Sequence, residues 1–170
     1  VLYAAHMAEN HATRDEIVKT VKKVRRYISS AFIIDSTHVM CKSGQIPKRV
    51  QILCDALLLH PVIVLRNSRM SVGSMEMGSF HHVIKGYVRK VLSNARNIDK
   101  RILFITYAGM DEESLEYIQN LVRQYCTFER VYLHKASSAI ASNCGPGSFG
   151  LLFMKKNEAM ISFSEASRGK

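Results

Sequence analysis

The chain has 170 residues, 47% hydrophobic and 22% charged, a composition with enough apolar material for the core of one domain and one that does not favour disorder. Its 24 Lys and Arg against 14 Asp and Glu leave a net charge of +10, but the basic residues are spread over polar helix faces with no stripe interleaved with stacking aromatics, which argues against nucleic-acid binding. No apolar run is long enough to span a bilayer, and the opening Val1-Leu2-Tyr3-Ala4-Ala5 lacks the basic n-region of a signal peptide.

Residues 1–9 read as the tail of a helix, broken at Asn10-His11-Ala12. Thr13 and Glu16 have capping-box spacing, and Ile17, Val18, Val21, Val24 and Ile28 follow at helical spacing. Residues 31–35 form a short apolar strand, after which Asp35 or Ser36 caps a short helix ending before Gly44. Pro47 opens a helix to about Leu58. Strands at 62–66 and 70–73 flank the turn signal Asn67-Ser68 and read as a hairpin. A long helix over 79–97 turns Val83, Ile84, Tyr87, Val88, Val91 and Leu92 inward. A strand at 101–107 follows, then a helix whose first turn carries Asp111, Glu112 and Glu113, acids that favour the N-terminal dipole. A strand at 128–134, a short helix at 137–142 and a strand at 151–154 complete the order. Strand–helix alternation plus a hairpin predicts an α/β (α+β) layered sandwich with a mixed, largely antiparallel sheet flanked by helices.

Chemistry-bearing motifs are sparse. Cys41, Cys54, Cys126 and Cys144 have no C-x-x-C or zinc spacing and read as reduced thiols of a cytoplasmic protein; no metal site is expected. Nucleophile-elbow, P-loop, dinucleotide and H-E-x-x-H signatures are absent. Asp35-Ser36-Thr37-His38 gathers an acid, hydroxyls and an imidazole, but adjacent side chains diverge at a turn and capping explains them better. No catalytic residue is assigned. Tyr107-Ala108-Gly109 ends a strand and opens a loop, where ligands often bind in open sheets. Gly145-Pro146-Gly147, which follows Ser142-Asn143-Cys144, makes a stiff, bare turn whose backbone N–H groups can point at an anion or polar head group.

Three stretches in order resemble one family. Residues 32–36 with Cys41-Lys42-Ser43-Gly44-Gln45-Ile46 resemble the strand, helix and Gly-Arg-Ile turn of the DegV family of bacterial fatty-acid-binding proteins. Leu57-Leu58-Leu59-His60-Pro61-Val62-Ile63 is similar to its next block, and Ser142-Asn143-Cys144-Gly145-Pro146-Gly147-Ser148-Phe149-Gly150-Leu151 to its Thr-His-x-Gly-Pro-Gly-Ala-Leu-Gly signature. The resemblance implies a non-enzymatic C-terminal lobe: an inter-lobe helix remnant at 1–12, a lipid-binding lobe at 13–155, and a tail at 156–170 whose weak signals are compatible with disorder. It implies a long-chain fatty acid or other acyl lipid as ligand, no other cofactor, and a missing N-terminal lobe and a fatty acid kinase as partners. It places the head group near Gln45, Asn143, Cys144, Gly145 and Gly147. The suitable liners of an acyl tunnel are Phe32, Ile34, Leu58, Val62, Val64, Phe104, Phe149 and Leu151.

The match has two departures. Gln45 replaces the family's Arg and Asn143 its His. An Arg clamps a carboxylate with two charge-assisted bonds, whereas an amide is neutral. The alternative expectation is therefore an interaction or regulatory protein that keeps the fold and has lost fatty-acid capture.

Overall fold

Period-two alternation of apolar residues builds a six-stranded mixed sheet, seen in a computed structural model that describes residues 1–66, 69–93 and 95–156. The expected turn at Asn67-Ser68 and the tail from 157 lie outside the described residues. The described chain divides into two compact units, one comprising Val1–Ile28 with residues 155–156, the other Ser29–Met154.

In the first unit, α1 (Leu2–Glu9) ends where the Asn10 side-chain amide donates to His6 O at 2.7 Å. α2 (Arg14–Val24) starts from the capping box: Thr13 N–H donates to Glu16 Oε2 at 2.8 Å, and Glu16 N–H donates to Thr13 Oγ1 at 3.4 Å. The Thr13 backbone N–H holds the Glu16 carboxyl below the usual carboxylate range. Two residues of the expected inward stripe, Val18 and Val21, are exposed, while Val24 is buried. A 3₁₀ turn (Arg25–Tyr27) stops the helix short of Ile28, which instead opens the first strand.

The sheet order is β3-β2-β1-β6-β4-β5, with β1 at Ile28–Ile33, β2 at Leu59–Arg66, β3 at Arg69–Met77, β4 at Ile98–Tyr107, β5 at Arg130–Lys135 and β6 at Phe149–Lys155. β1–β2 and β2–β3 are antiparallel and β4–β5 is parallel. α5 (Phe80–Leu92) and α6 (Glu112–Tyr125) cover one face. Their Val83, Ile84, Val88, Leu92, Ile118 and Leu121 pack on Ala31, Ile33, Leu103, Ile105, Phe149 and Leu151 from the strands. The three remaining helices are short: α3 (His38–Lys42), α4 (Lys48–Ala56) and α7 (Ser138–Cys144).

Tyr87 ties α5 to the middle of the sheet. It is fully buried, with its ring edge-on to Phe149 at 5.2 Å. Its hydroxyl donates to Ala31 O of β1 at 2.6 Å and accepts from Leu151 N–H of β6 at 3.3 Å. Burial pushes the phenol's pKa up, so it stays a donor.

Several boundaries shift from expectation. The helix expected to reach Leu58 ends at Ala56, and Leu58 turns the chain with φ 48°. α5 stops at Leu92 and is followed by a separate 3₁₀ turn (Ala95–Asn97). The second hairpin strand extends well past Gly73, to Met77. Thr37 rather than Asp35 or Ser36 is the N-cap of α3, and Ser36 Oγ accepts from His38 N–H at 3.3 Å.

Candidate functional site

β1 and β4 end beside the turn that leads into β6, and the Gly-Pro-Gly segment wedges between them. Gly145 ends α7 with φ 77°, and a Cβ there would lie 2.9 Å from Val39 Cγ2. Gly147 has φ 80°, and its Cβ would meet Asp35 Oδ2 at 2.6 Å. Positive φ and the close approach together require glycine at both positions. The turn's N–H groups are committed internally, contrary to the anion-facing role read from the motif. Gly145 N–H donates to Ala141 O at 2.9 Å and Gly147 N–H to Ala108 O at 2.8 Å.

A shallow groove with room for about one water molecule opens at this junction, lined by Phe32, Thr106, Tyr107, Ala108, Ala136, Ile140, Cys144, Ser148 and Phe149. Ser148 Oγ donates to Cys144 O at 2.8 Å and accepts from Asp35 N–H at 3.4 Å. Burial raises the pKa of the half-buried Cys144 thiol, which argues against a reactive thiolate.

Of the expected ligand residues, the groove brings together Phe32, Cys144 and Phe149. Asn143 sits in the last turn of α7 and Gln45 bonds to it. Gln45 Nε2 donates to Asn143 Oδ1 at 3.0 Å and to Ser43 Oγ at 2.8 Å, while Asn143 Nδ2 donates to Ala139 O at 2.6 Å. Strand alternation divides the expected acyl liners. Val62, Phe149 and Leu151 belong to the core against α5 and α6, and Val64 packs against it. Phe32 and Phe104 alternate with core residues and face the other way, Phe104 stacked on Tyr132 at 5.2 Å. Ile34 is buried just past β1, and Leu58 is exposed at its turn. One tube through the lobe cannot be lined by all eight.

Asp35 and His38 form no dyad. The Asp35 carboxylate lies 3.9 Å from His60 Nδ1 and packs against Gly147. Burial raises its pKa, and the His60 ring partly offsets that. His60 is itself buried, with Nδ1 at 2.8 Å from Asp35 O and Nε2 at 3.1 Å from Gly78 O. The Thr37 hydroxyl is buried with no hydrogen-bond partner among the described residues. Sequence reading singled out the strand end at Tyr107-Ala108 but missed Thr106, Ala136, Ile140 and Ser148. Only the sheet order, which sets the strand ends of β1 and β4 around the start of β6, identifies them. Among the described residues no cluster of His, Cys, Asp or Glu has the makings of a metal centre, and no helix is long and apolar enough to cross a membrane.

The chain is 25% identical over 159 residues to a DegV domain-containing protein of Caldanaerobacter subterraneus, covering 92% of this chain and 55% of that protein. Its fold matches a solved DegV family protein of Eubacterium eligens loaded with heptadecanoic acid, with TM-score 0.73 and 16% identity over 91% of this chain and 55% of that one. It also matches a DegV family protein of Thermus thermophilus described by its fatty acid binding, with TM-score 0.68 and 21% identity over 91% and 55% of the two chains. The chain thus spans about half the length of the relatives it matches. The family model described as "Uncharacterised protein, DegV family" matches residues 1–156; the chain belongs to the DegV family.

Proposed function

We propose that this chain is a non-enzymatic lipid-binding module, the C-terminal lobe of a longer DegV protein, that holds an acyl chain with its polar head beside the Gly-Pro-Gly loop. The observation that carries the reading is the groove where β1, β4 and the loop meet, walled by Phe32, Ala108, Ile140 and Phe149. Its lining is almost wholly apolar, as contact with a methylene chain requires. The remaining methylenes extend over the face of the sheet that carries Phe32 and Phe104, each buried CH₂ contributing about 0.8 kcal/mol. The fatty acids bound by the matched relatives support this class of ligand. A partner lobe and a fatty acid kinase are the partners this reading implies.

The Gln45–Asn143 hydrogen bond favours a second reading, an interaction protein that keeps the fold without capturing lipid, because both amides are already engaged. Native mass spectrometry of the purified chain, followed by solvent extraction of whatever is bound, separates the two. A stoichiometric acyl lipid is the expected result. A protein that is empty and stays empty after incubation with acyl lipids refutes the first reading and leaves the second.

A further inference from the structure

We infer that β5, one edge of the sheet, is a self-association surface: two copies of this chain join antiparallel along residues 129–135, about a two-fold axis at Tyr132. The inference is independent of what the lobe binds.

β5 ends the order β3-β2-β1-β6-β4-β5 and pairs with β4, with no strand on its outer side among the described residues. All of its residues are exposed, as is Glu129 just before it. Glu129 N–H donates to Lys100 O at 2.8 Å, which sets the phase of the main chain. By alternation the N–H and C=O groups of Val131 and Leu133 face β4, and those of Arg130, Tyr132 and His134 face outward. Such an edge is a ready template for another strand, and this one carries no proline and no register shift against β4.

The side chains select the partner. A two-fold axis normal to the sheet keeps each side chain on its own face, so odd residues meet odd and even meet even. Centred on Tyr132, Glu129 meets Lys135 of the second copy, and Val131 meets Leu133. The same contacts recur at the other end, so one face reads acid, apolar, apolar, base against its own complement. Opposite charges and apolar pairs directly across a ladder are favourable. Val131 and Leu133 are 38% and 43% exposed, whereas their β4 neighbours Leu103 and Ile105 are fully buried. The apolar surface of this face thus runs out from the core to the edge. On the opposite face the two Tyr132 rings meet, extending the Phe104–Tyr132 stack of 5.2 Å across both copies. Arg130 stands opposite His134, the one pairing without a side-chain gain. The outward groups supply the ladder, two N–H···O bonds for each facing pair.

Other registers lose this match. With the axis at Val131, Glu129 faces Leu133; with the axis at Leu133, Val131 faces Lys135. The far edge of the sheet has no equivalent either: centred on Gly73 of β3, Arg69 faces Met77 and Glu76 faces Met70.

Sedimentation equilibrium of the intact chain over the micromolar range tests the assignment. The expected species has twice the chain mass of 19.2 kDa. Glu129→Lys and Lys135→Glu, studied separately, each set like charges across both ends of the ladder, and each should raise the dimer Kd at least about tenfold. An equimolar mixture of the two variants again sets opposite charges at both ends and should dimerise as tightly as the parent, a rescue that misfolded variants could not give. A parent chain that stays monomeric overturns the inference and leaves the edge to another occupant. A dimer unaffected by either substitution, or a mixture no tighter than its components, overturns it in favour of a different surface.

Discussion

Replacing Tyr87 with Phe isolates one oxygen atom at the centre of the sheet. The ring is retained, so its edge-on contact with Phe149 and its volume in the core remain. Lost is the hydroxyl that bridges Ala31 O on β1 and Leu151 N–H on β6. Both backbone groups sit in residues almost wholly excluded from water. A buried polar group left without its partner costs about 1–3 kcal/mol. With two such groups and partial relaxation of the strands, the expected loss is about 2–4 kcal/mol. For a chain of this size that lowers Tm by roughly 4–16 °C. Urea unfolding followed by circular dichroism measures it, with Tyr132→Phe at an exposed tyrosine as the control. A Tyr87→Phe variant within about 0.5 kcal/mol of the parent, the range of ordinary surface changes, would refute the bridging role of the hydroxyl.

Other predictions follow from the loop and the caps. Gly147→Ala should lower Tm, because positive φ alone costs an L-residue about 1–2 kcal/mol and the new methyl would collide with Asp35; an unchanged melting curve would show that the wedge is not tightly packed. Glu16 and Asp111 have carboxyls held below the ordinary range by the N–H groups of Thr13 and Ser114. Their contribution is present above the unfolded carboxylate pKa and is lost as pH falls through the lowered folded values. Asp35 has the opposite sign. Its folded pKa is raised, so its contribution is full below the ordinary value and is lost as pH rises through the raised one. Asp35→Asn should therefore raise the urea midpoint at neutral pH and lose that advantage in acid. An equal midpoint at both pH values would contradict it.

What could be read from the residues differs from what could not by the range of the interaction involved. The capping box at Thr13 and Glu16, the inward stripe of α5 and the acid-capped start of α6 are local, and all three stand in the structure. The two loop glycines have the positive φ that their bareness suggested. Apolar strands were legible too, but a strand taken alone does not say which of its faces meets the helices. Phe32 and Leu151 therefore looked equivalent and lie on opposite sides. Gln45 and Asn143 were identified as departures from a pattern, yet their hydrogen bond joins residues 98 positions apart and has no signature in either segment. The same holds for Asp35 beside His60 and for the Tyr87 hydroxyl, whose partners are set by the packing of distant elements.

The place of β6 in the sheet has a consequence for how the protein is made. It is the last strand among the described residues, yet it lies between β1 and β4, near the middle of the order β3-β2-β1-β6-β4-β5. During synthesis from the N-terminus, β1, β2 and β3 can zip together early as antiparallel neighbours, and β4 can pair with β5. These two pieces have no ladder between them until residues 149–155 leave the ribosome. Until then both nascent sheets carry an unpaired inner edge, the kind of edge that recruits other chains. The final seven residues of the sheet therefore close two open edges in one step. A chain cut off just before Phe149 would expose an adhesive half-sheet on each side of the gap.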